Sequence, residues 1–226
     1  MTLTVYGSGL SPYTRKVLAC LLEKDTEHVN EPVNPFGAPD WFAKISPLGK
    51  IPVLRDTSVD ADATLPDSSI ISAYLESKYP EPQLYPSDPF DRARAQWYEE
   101  YSDTALSETI GLPFFYALVV RRLMGKEADR ETAEDSLKNK MPPRFAYLDK
   151  ELAGKDYLVG GAMSIADIAV ASQLANFQLA GGSLDVERYP NLTSMVERVH
   201  GRPSFQQLIT AGRVFLDGAL GEATTS

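Results

Sequence analysis

Cysteine and histidine are scarce in this chain of 226 residues, which contains one cysteine and two histidines. A single thiol, that of Cys20, cannot form an intramolecular disulfide, and the few cysteine and histidine residues lack the spacing of a zinc site. These absences exclude a disulfide-stabilised framework and predict a protein without a metal centre in a reducing compartment. Cys20 lies in an apolar-rich segment, so we expect it to pack in the core.

Basic residues and long apolar runs are also in short supply. The chain has 22 Lys and Arg against 31 Asp and Glu, and no basic run of the kind that binds nucleic acid or anionic membranes. The longest strongly apolar stretch, LPFFYALVV, is far shorter than the roughly 20 residues that span a bilayer. The opening MTLTVYGSGL lacks the pattern of a signal peptide. We therefore expect a cytoplasmic protein that binds neither nucleic acid nor membrane.

The spacing of apolar residues changes near residue 80. Before it, β-like runs (LTVY, EHVNEPV, IPVLRD, ATLPDSS) alternate with the helical patterns that begin at SPYTRKV and SIISAYLESKY. The following YPEPQLYPSDP holds four prolines, which lack the amide protons of a helix or central strand. Almost every later segment has helical spacing. The sequence predicts an α/β domain over 1–80, a linker over 81–89 and an all-helical domain over 90–226.

Ser11 and Pro12 stand where the first strand-like run gives way to a helix. Proline is favoured as the first residue of a helix and serine is favoured as its N-cap, so the pair by itself predicts a helix start. The same place offers unpaired amide donors and the positive end of the helix dipole, which favour an anion such as a thiolate. Ser11 can therefore cap the helix and also help to stabilise a bound anion, so the two interpretations are compatible.

Two further stretches could contact a ligand. In GKIPVL, a cis bond between Ile51 and Pro52 would turn the Ile51 backbone outward, although about 5–6% of X-Pro bonds are cis, which favours the trans form for the isolated pair. In LPDSSII, either Asp67 or Ser68 could cap the next helix. Asp67 could alternatively accept from a ligand ammonium group, and Ser68 could bind a carboxylate.

A fourth stretch, MSIADIAVAS, has the pattern of a helix start and is informative about the fold. Ser164 and Asp167 have the i, i+3 spacing of a capping box ahead of an apolar run. We interpret this pair as structural, a cap worth about 1 kcal/mol on a buried helix.

These stretches, in this order, resemble the cytosolic glutathione transferases, in particular serine-type bacterial members, over nearly the whole chain. The resemblance implies a thioredoxin-like α/β domain followed by an all-α domain. It implies glutathione as cosubstrate, an apolar electrophile as second substrate, and a homodimer. No stretch of the sequence itself shows an interface.

The resemblance also implies roles for individual residues. In serine-type members, the residue at the position of Ser11 donates a hydrogen bond to the sulfur of glutathione and favours its thiolate. An unperturbed thiol with a pKa near 8.5 is only about 3% ionised at pH 7, and a drop of two pKa units requires roughly 2.7 kcal/mol. Tyr6 and Thr14 are nearby hydroxyls that stay as alternatives.

The glutathione-binding positions follow from the same resemblance. Ile51 and Pro52 match the cis-proline pair whose preceding residue binds the cysteinyl part through its backbone. Lys50 matches a residue that reaches the glycyl carboxylate. Asp67 and Ser68 match the acidic residue and serine that hold the γ-glutamyl end.

The second substrate and the reaction stay open at this point. Phe114, Phe115 and Tyr116, in TIGLPFFYALVV, could line the electrophile site, although such a run is more often core. Related redox members have cysteine where this chain has Ser11, so disulfide exchange at that residue is not expected. The alternatives to conjugation are a non-catalytic protein-interaction module and a glutathione-dependent isomerase or dehalogenase.

Overall fold

The computed structural model describes residues 2–222, and the chain divides after Tyr85 into two compact units. The first unit combines a mixed sheet with helices and the second is helical, which confirms the predicted thioredoxin-like and all-α fold classes. The division falls inside the segment 81–89 predicted as a linker, and the functional domain limits stay a prediction. Among the described residues, no helix is long and apolar enough to cross a membrane.

The first unit is built on a four-stranded sheet with the strand order β2-β1-β3-β4. Strand β1 is parallel to β2 and antiparallel to β3, and β3 is antiparallel to β4. The sequence pattern missed one single-turn helix, α2. The elements are β1 (Leu3–Tyr6), α1 (Pro12–Glu23), β2 (His28–Glu31), α2 (Phe42–Ile45), β3 (Val53–Asp56), β4 (Thr64–Pro66) and α3 (Ser68–Lys78).

Helix α1 packs against α3, and its residues from Thr14 to Leu21 are buried. Cys20 is 1% exposed, and its sulfur lies 3.8 Å from the hydroxyl oxygen of Ser72 on α3. The cysteine is therefore a core residue, as its apolar surroundings predicted.

A buried ion pair attaches the end of the first unit to its helices. Lys24 Nζ lies 2.8 Å from Glu76 Oε2 and also donates to the carbonyl oxygens of Tyr79 and Pro82, at 2.7 and 2.8 Å. Glu76 Oε2 in turn accepts from the Leu84 amide at 3.1 Å. Because prolines remove regular backbone pairing from this segment, the side chains of Lys24, which directly follows α1, and of Glu76 on α3 supply hydrogen bonds to it instead.

The second unit consists of α-helices and π-helical segments. The π geometry has a local cause in its longest segment, where Pro113 has no amide proton to offer the carbonyl of Thr109. Ser136 Oγ donates to that carbonyl at 2.6 Å. The elements are α4 (Pro89–Tyr101), π1 (Ser102–Leu106), α5 (Ser107–Ile110), π2 (Gly111–Val120), α6 (Arg121–Leu123), α7 (Arg130–Asp135), π3 (Ser136–Lys140), α8 (Met141–Glu151), α9 (Ile165–Leu179), α10 (Pro190–His200) and α11 (Pro203–Glu222).

Helix α9 forms the centre of the second unit and is buried from Ile165 to Phe177. It begins with the predicted capping box, in which the carboxylate of Asp167 accepts from the amide of Ser164 at 2.9 Å. The same carboxylate accepts from the amide of Leu158 at 2.8 Å. Burial nevertheless raises the pKa of Asp167 to about 6, because desolvation outweighs these hydrogen bonds.

Candidate functional site

One row of the sheet gathers the three stretches that the sequence singled out. Tyr6 at the end of β1 pairs with Val53 at the start of β3, and Val53 pairs with Pro66 at the end of β4. Ser11 follows the first member of this row by five residues, and Asp67 directly follows the last. Antiparallel pairing thus brings together chain segments that are distant in sequence, all at one edge of the sheet.

Ser11 is the N-cap of α1. Its backbone is extended, with φ −74° and ψ 126°, and its Oγ accepts from the Thr14 amide at 3.3 Å. The Ser11 amide donates to the carbonyl of Ser8 at 2.9 Å, which fixes the turn before the helix. Within residues 2–222 the Ser11 hydroxyl donates no hydrogen bond, so its proton is available to a ligand while its oxygen caps the helix.

The two alternative hydroxyls are less accessible than that of Ser11. Thr14 is fully buried beneath Gly7, where a Cβ would lie 2.4 Å from Thr14 Oγ1. Tyr6 is 5% exposed; its ring packs edge-on against Trp41 at 5.4 Å, and the Arg55 guanidinium lies 5.6 Å from its centroid. Ser11 is half-buried and is the most exposed of these three residues.

Two buried cations on α1 were not recognised from the sequence. Arg15 is fully buried and its Nη2 donates to the carbonyl of Gly9 at 3.1 Å, in the turn that precedes Ser11. Burial lowers the pKa of Arg15 to about 10, so it still carries a positive charge at neutral pH. Lys16 is also fully buried and its Nζ donates to Ser69 Oγ at 3.0 Å on α3. Both residues are visible in SPYTRKV, but their burial depends on contacts with distant segments.

The Ile51–Pro52 bond is cis, as the family resemblance implied and against the preference of the isolated pair. Ser46 Oγ donates to the carbonyl of Lys50 at 2.6 Å and holds the preceding turn, while the Lys50 side chain is exposed. Within residues 2–222 no hydrogen bond involves the Ile51 backbone. Ile51 lies two residues before Val53, where the pairing of β1 with β3 ends.

Asp67, and not Ser68, caps α3. Its Oδ1 accepts from the amides of Ser69 and Ile70, at 2.9 and 3.2 Å, and this settles the choice that the sequence left open. The φ of Asp67 is +79°, a left-handed value that is costly for a residue other than glycine and is often found at functional sites. Asp67 remains exposed, whereas Ser68 is 4% exposed at the first position of the helix.

The carboxylate with the most strongly lowered pKa in the first unit lies elsewhere, at Asp56 on the opposite end of β3. Desolvation opposes its ionisation, but hydrogen bonds from Lys78, Ser58 and Tyr74 outweigh it and hold the pKa of Asp56 well below its usual range. Tyr74 OH donates to Oδ2 and Ser58 Oγ to Oδ1, each at 2.6 Å. Because both oxygens are satisfied within the protein, we interpret this cluster as structural.

The aromatic run of the second unit is mainly core. Phe114 and Phe115 are 4% and 6% exposed, and the Phe114 ring lies 5.3 Å from that of Phe177 on α9. Tyr116 is half-buried. In the described part of the chain, no group of three or more His, Cys, Asp or Glu residues is placed to hold a metal ion.

Comparison with known proteins gives matches over both units. Residues 5–83 match the model for the glutathione S-transferase N-terminal domain, and residues 116–210 match that for the C-terminal domain. The chain is 32% identical over 208 residues to the uncharacterized GST-like protein YibF of Escherichia coli, which covers 88% of this chain and 94% of that protein.

Comparison with solved structures also finds glutathione S-transferases. A glutathione S-transferase of Rhodospirillum rubrum superimposes with a TM-score of 0.83 at 26% identity, covering 91% of each chain. A glutathione S-transferase of Methylobacterium radiotolerans in complex with glutathione sulfonate superimposes with a TM-score of 0.75 at 26% identity, covering 92% of this chain and 95% of the other.

Proposed function

Because this chain belongs to the glutathione S-transferase family, we propose that its first unit binds glutathione and activates the thiol for attack on an apolar electrophile. The observation that carries the proposal is the sheet row of Tyr6, Val53 and Pro66, which gathers the turn before Ser11, the Ile51 peptide and the Asp67 cap at one edge. A structural relative binds a glutathione derivative, which supports the choice of ligand.

The residues at this edge suit a tripeptide with a charge at each end. The unpaired backbone of Ile51 can bind the cysteinyl peptide group, in the manner of an added strand. The hydroxyl and backbone amide of Ser68, at the start of α3, suit the γ-glutamyl carboxylate, and the second carboxylate oxygen of Asp67 suits the ammonium group. Lys50, which is exposed, supplies a cation for the glycyl carboxylate.

Ser11 keeps its own proton in the proposed chemistry. The thiol of glutathione loses its proton to solvent, and the thiolate accepts a hydrogen bond from the Ser11 hydroxyl at the positive end of α1. A hydrogen bond to a charged group contributes about 1.5–3 kcal/mol and the helix dipole about 0.3–1 kcal/mol, which together lower the pKa of the thiol by about two units. The thiolate then forms a carbon–sulfur bond by substitution, with departure of a leaving group, or by addition.

The test is an ultraviolet difference titration of the glutathione complex against pH, which follows the thiolate absorbance. We expect the thiol to ionise with a pKa about two units below its free value in the wild type and to return towards 8.5 in Ser11→Ala. Ser11→Gly separates chemistry from capping, because glycine preserves most of the cap while removing the hydroxyl. The proposal fails if both variants keep the low thiol pKa and Tyr6→Phe or Thr14→Val abolishes it.

Conjugation assays then separate the alternative functions. If general electrophiles react only at the buffer rate while glutathione saturates the protein, the chain acts as an interaction module and not as a transferase. Product analysis distinguishes conjugation from isomerisation or dehalogenation. Sedimentation at micromolar concentration tests the homodimer that the family membership leads us to propose, and a monomer would contradict it.

A further inference from the structure

Helices α1 and α3 of the first unit contact each other through a line of polar side chains. The three pairs are Lys16 with Ser69 (3.0 Å), Cys20 with Ser72 (3.8 Å) and Lys24 with Glu76 (2.8 Å). Side chains spaced three or four residues apart share one face of a helix, so each helix presents a single face to the other. Both members of the pairs advance along the chain together, which means that the helices run in the same direction. The pair of Lys16 and Ser69 therefore lies near the start of both helices.

The two lysines of this interface meet different groups on α3. Lys24 meets the carboxylate of Glu76, whereas Lys16 meets the neutral hydroxyl of Ser69. Lys16 is nevertheless 0% exposed, which is unusual for a lysine. Its ammonium group is within hydrogen-bond distance of the second residue of α3, an 11-residue helix. The positive charge thus lies at the positive end of the helix dipole, and the two together favour an anion at this place.

The first turn of α3 also retains donors for an anion. Asp67 Oδ1 already accepts from the amides of Ser69 and Ile70. Ser68 is 4% exposed, and within residues 2–222 its hydroxyl has no hydrogen-bond partner. A polar group that is buried without a protein partner indicates a site for a ligand or for ordered water. The exposed carboxylate of Asp67, however, repels an anion beside it, so an anion held by Ser68 needs a nearby cation.

We propose that Lys16 is a positioning residue that makes the start of α3 selective for the γ-glutamyl carboxylate of glutathione. Lys16 holds Ser69 and offsets the negative charge of Asp67, so that Ser68 can bind the carboxylate while Asp67 binds the neighbouring ammonium group. This inference rests on the proposed binding of glutathione at this edge of the sheet. It adds a buried residue that acts through the start of α3 without touching the ligand.

The test measures three ligands by calorimetry on the full chain. The first is glutathione, the second is 4-aminobutanoyl-Cys-Gly, which lacks only the γ-glutamyl carboxylate, and the third is glutaryl-Cys-Gly, which lacks only the ammonium group. We expect Lys16→Met to raise the Kd of glutathione and of glutaryl-Cys-Gly about tenfold, and that of 4-aminobutanoyl-Cys-Gly less than about twofold. A purely structural role of Lys16 would weaken all three ligands alike.

Matched variants separate the charge of Lys16 from its contribution to stability. Lys24→Met removes the other buried lysine of the same interface, so it should lower the free energy of unfolding without changing the ratios between the three Kd values. Lys16→Arg keeps the positive charge and should restore most of the preference for the carboxylate. Ser69→Ala removes the acceptor of Lys16 and should weaken the preference by itself, so it tests the proposal even if Lys16→Met does not fold.

The outcomes distinguish this inference from the proposed function. A loss confined to the two ligands that carry the carboxylate supports the role of Lys16, even if Ser11 proves not to activate the thiol, because binding is measured without turnover. Equal losses for all three ligands in Lys16→Met would overturn the role of Lys16 and leave glutathione binding standing. If the wild type does not bind glutathione at all, the proposed function and this inference are both wrong.

Discussion

The buried ion pair between Lys24 and Glu76 should make a large contribution to the attachment of residues 79–85 to the first unit. The side chains of Lys24 and Glu76 are 1% and 7% exposed, and Lys24 Nζ has three oxygen partners at 2.7–2.8 Å. Lys24→Met keeps the apolar stem but leaves the carboxylate of Glu76 buried without its cation. Removing one partner of such a pair costs about 3–5 kcal/mol, a large part of the roughly 5–15 kcal/mol that stabilises a typical protein.

The double variant Lys24→Met/Glu76→Gln tests the cause of this loss. This variant removes the carboxylate of Glu76 together with its cation, so no unpaired charge is left buried. Its loss of unfolding free energy should therefore be smaller than the sum of the losses in the two single variants by about 1–3 kcal/mol. Urea unfolding at pH 7 measures the free energies of unfolding, and hydrogen exchange of the Leu84 amide reports locally, since Glu76 is its acceptor. Exchange at Leu84 should accelerate in both single variants.

Two results would refute this reasoning. A cost below about 1 kcal/mol for Lys24→Met would show that water or movement of the chain compensates for the lost cation. Strict additivity in the double variant would show that the two side chains contribute separately, without the coupling that a 2.8 Å contact implies.

The remaining predictions concern the two helix-capping carboxylates Asp167 and Asp67 and the hydrogen bond donated by Ser136. The pKa of Asp167 is raised from 3.8 to about 6, so the folded state becomes less stable as the pH rises and this carboxyl ionises. The free energy of unfolding of the wild type, relative to that of Asp167→Asn, should therefore fall by about 2 kcal/mol between pH 4 and pH 7. A difference between the two proteins that does not change with pH would contradict this. Asp67→Asn should keep the cap of α3 but weaken glutathione binding, measured by calorimetry, about fivefold. Asp67→Ala should weaken binding similarly and also lower the free energy of unfolding by about 1 kcal/mol, because it removes the cap. If both variants bind glutathione as tightly as the wild type, Asp67 does not contact the ammonium group. Ser136→Ala removes the donor to the Thr109 carbonyl and should cost about 1–2 kcal/mol in urea unfolding, against little change for the exposed Ser183→Ala.

Helix starts were the features that the sequence predicted best. Ser11 caps α1 and Asp167 completes the box at the start of α9, because a cap and the amides it satisfies lie within a few residues of each other. The choice between Asp67 and Ser68 was not accessible in this way, since both have the right chemistry and only the backbone conformation distinguishes them.

Other features of the candidate site were suggested by family resemblance and not by local chemistry. The pair Ile51–Pro52 taken alone favours a trans bond, yet the structure has it cis. The burial of Arg15 and Lys16 was not recognised at all, because an arginine and a lysine are ordinarily expected at the surface.

The sequence alone determined the order of the four strands and the main helices of the first unit, the helical character of the second unit and the caps of α1 and α9, because these depend on short-range periodicity and capping. Only the tertiary structure decided that Tyr6, Val53 and Pro66 form one row, and that Arg15 and Lys16 are buried. The physical reason is that strand pairing and helix packing join segments far apart in the chain. A local pattern records which face of an element is apolar, but it does not record which distant segment will cover that face.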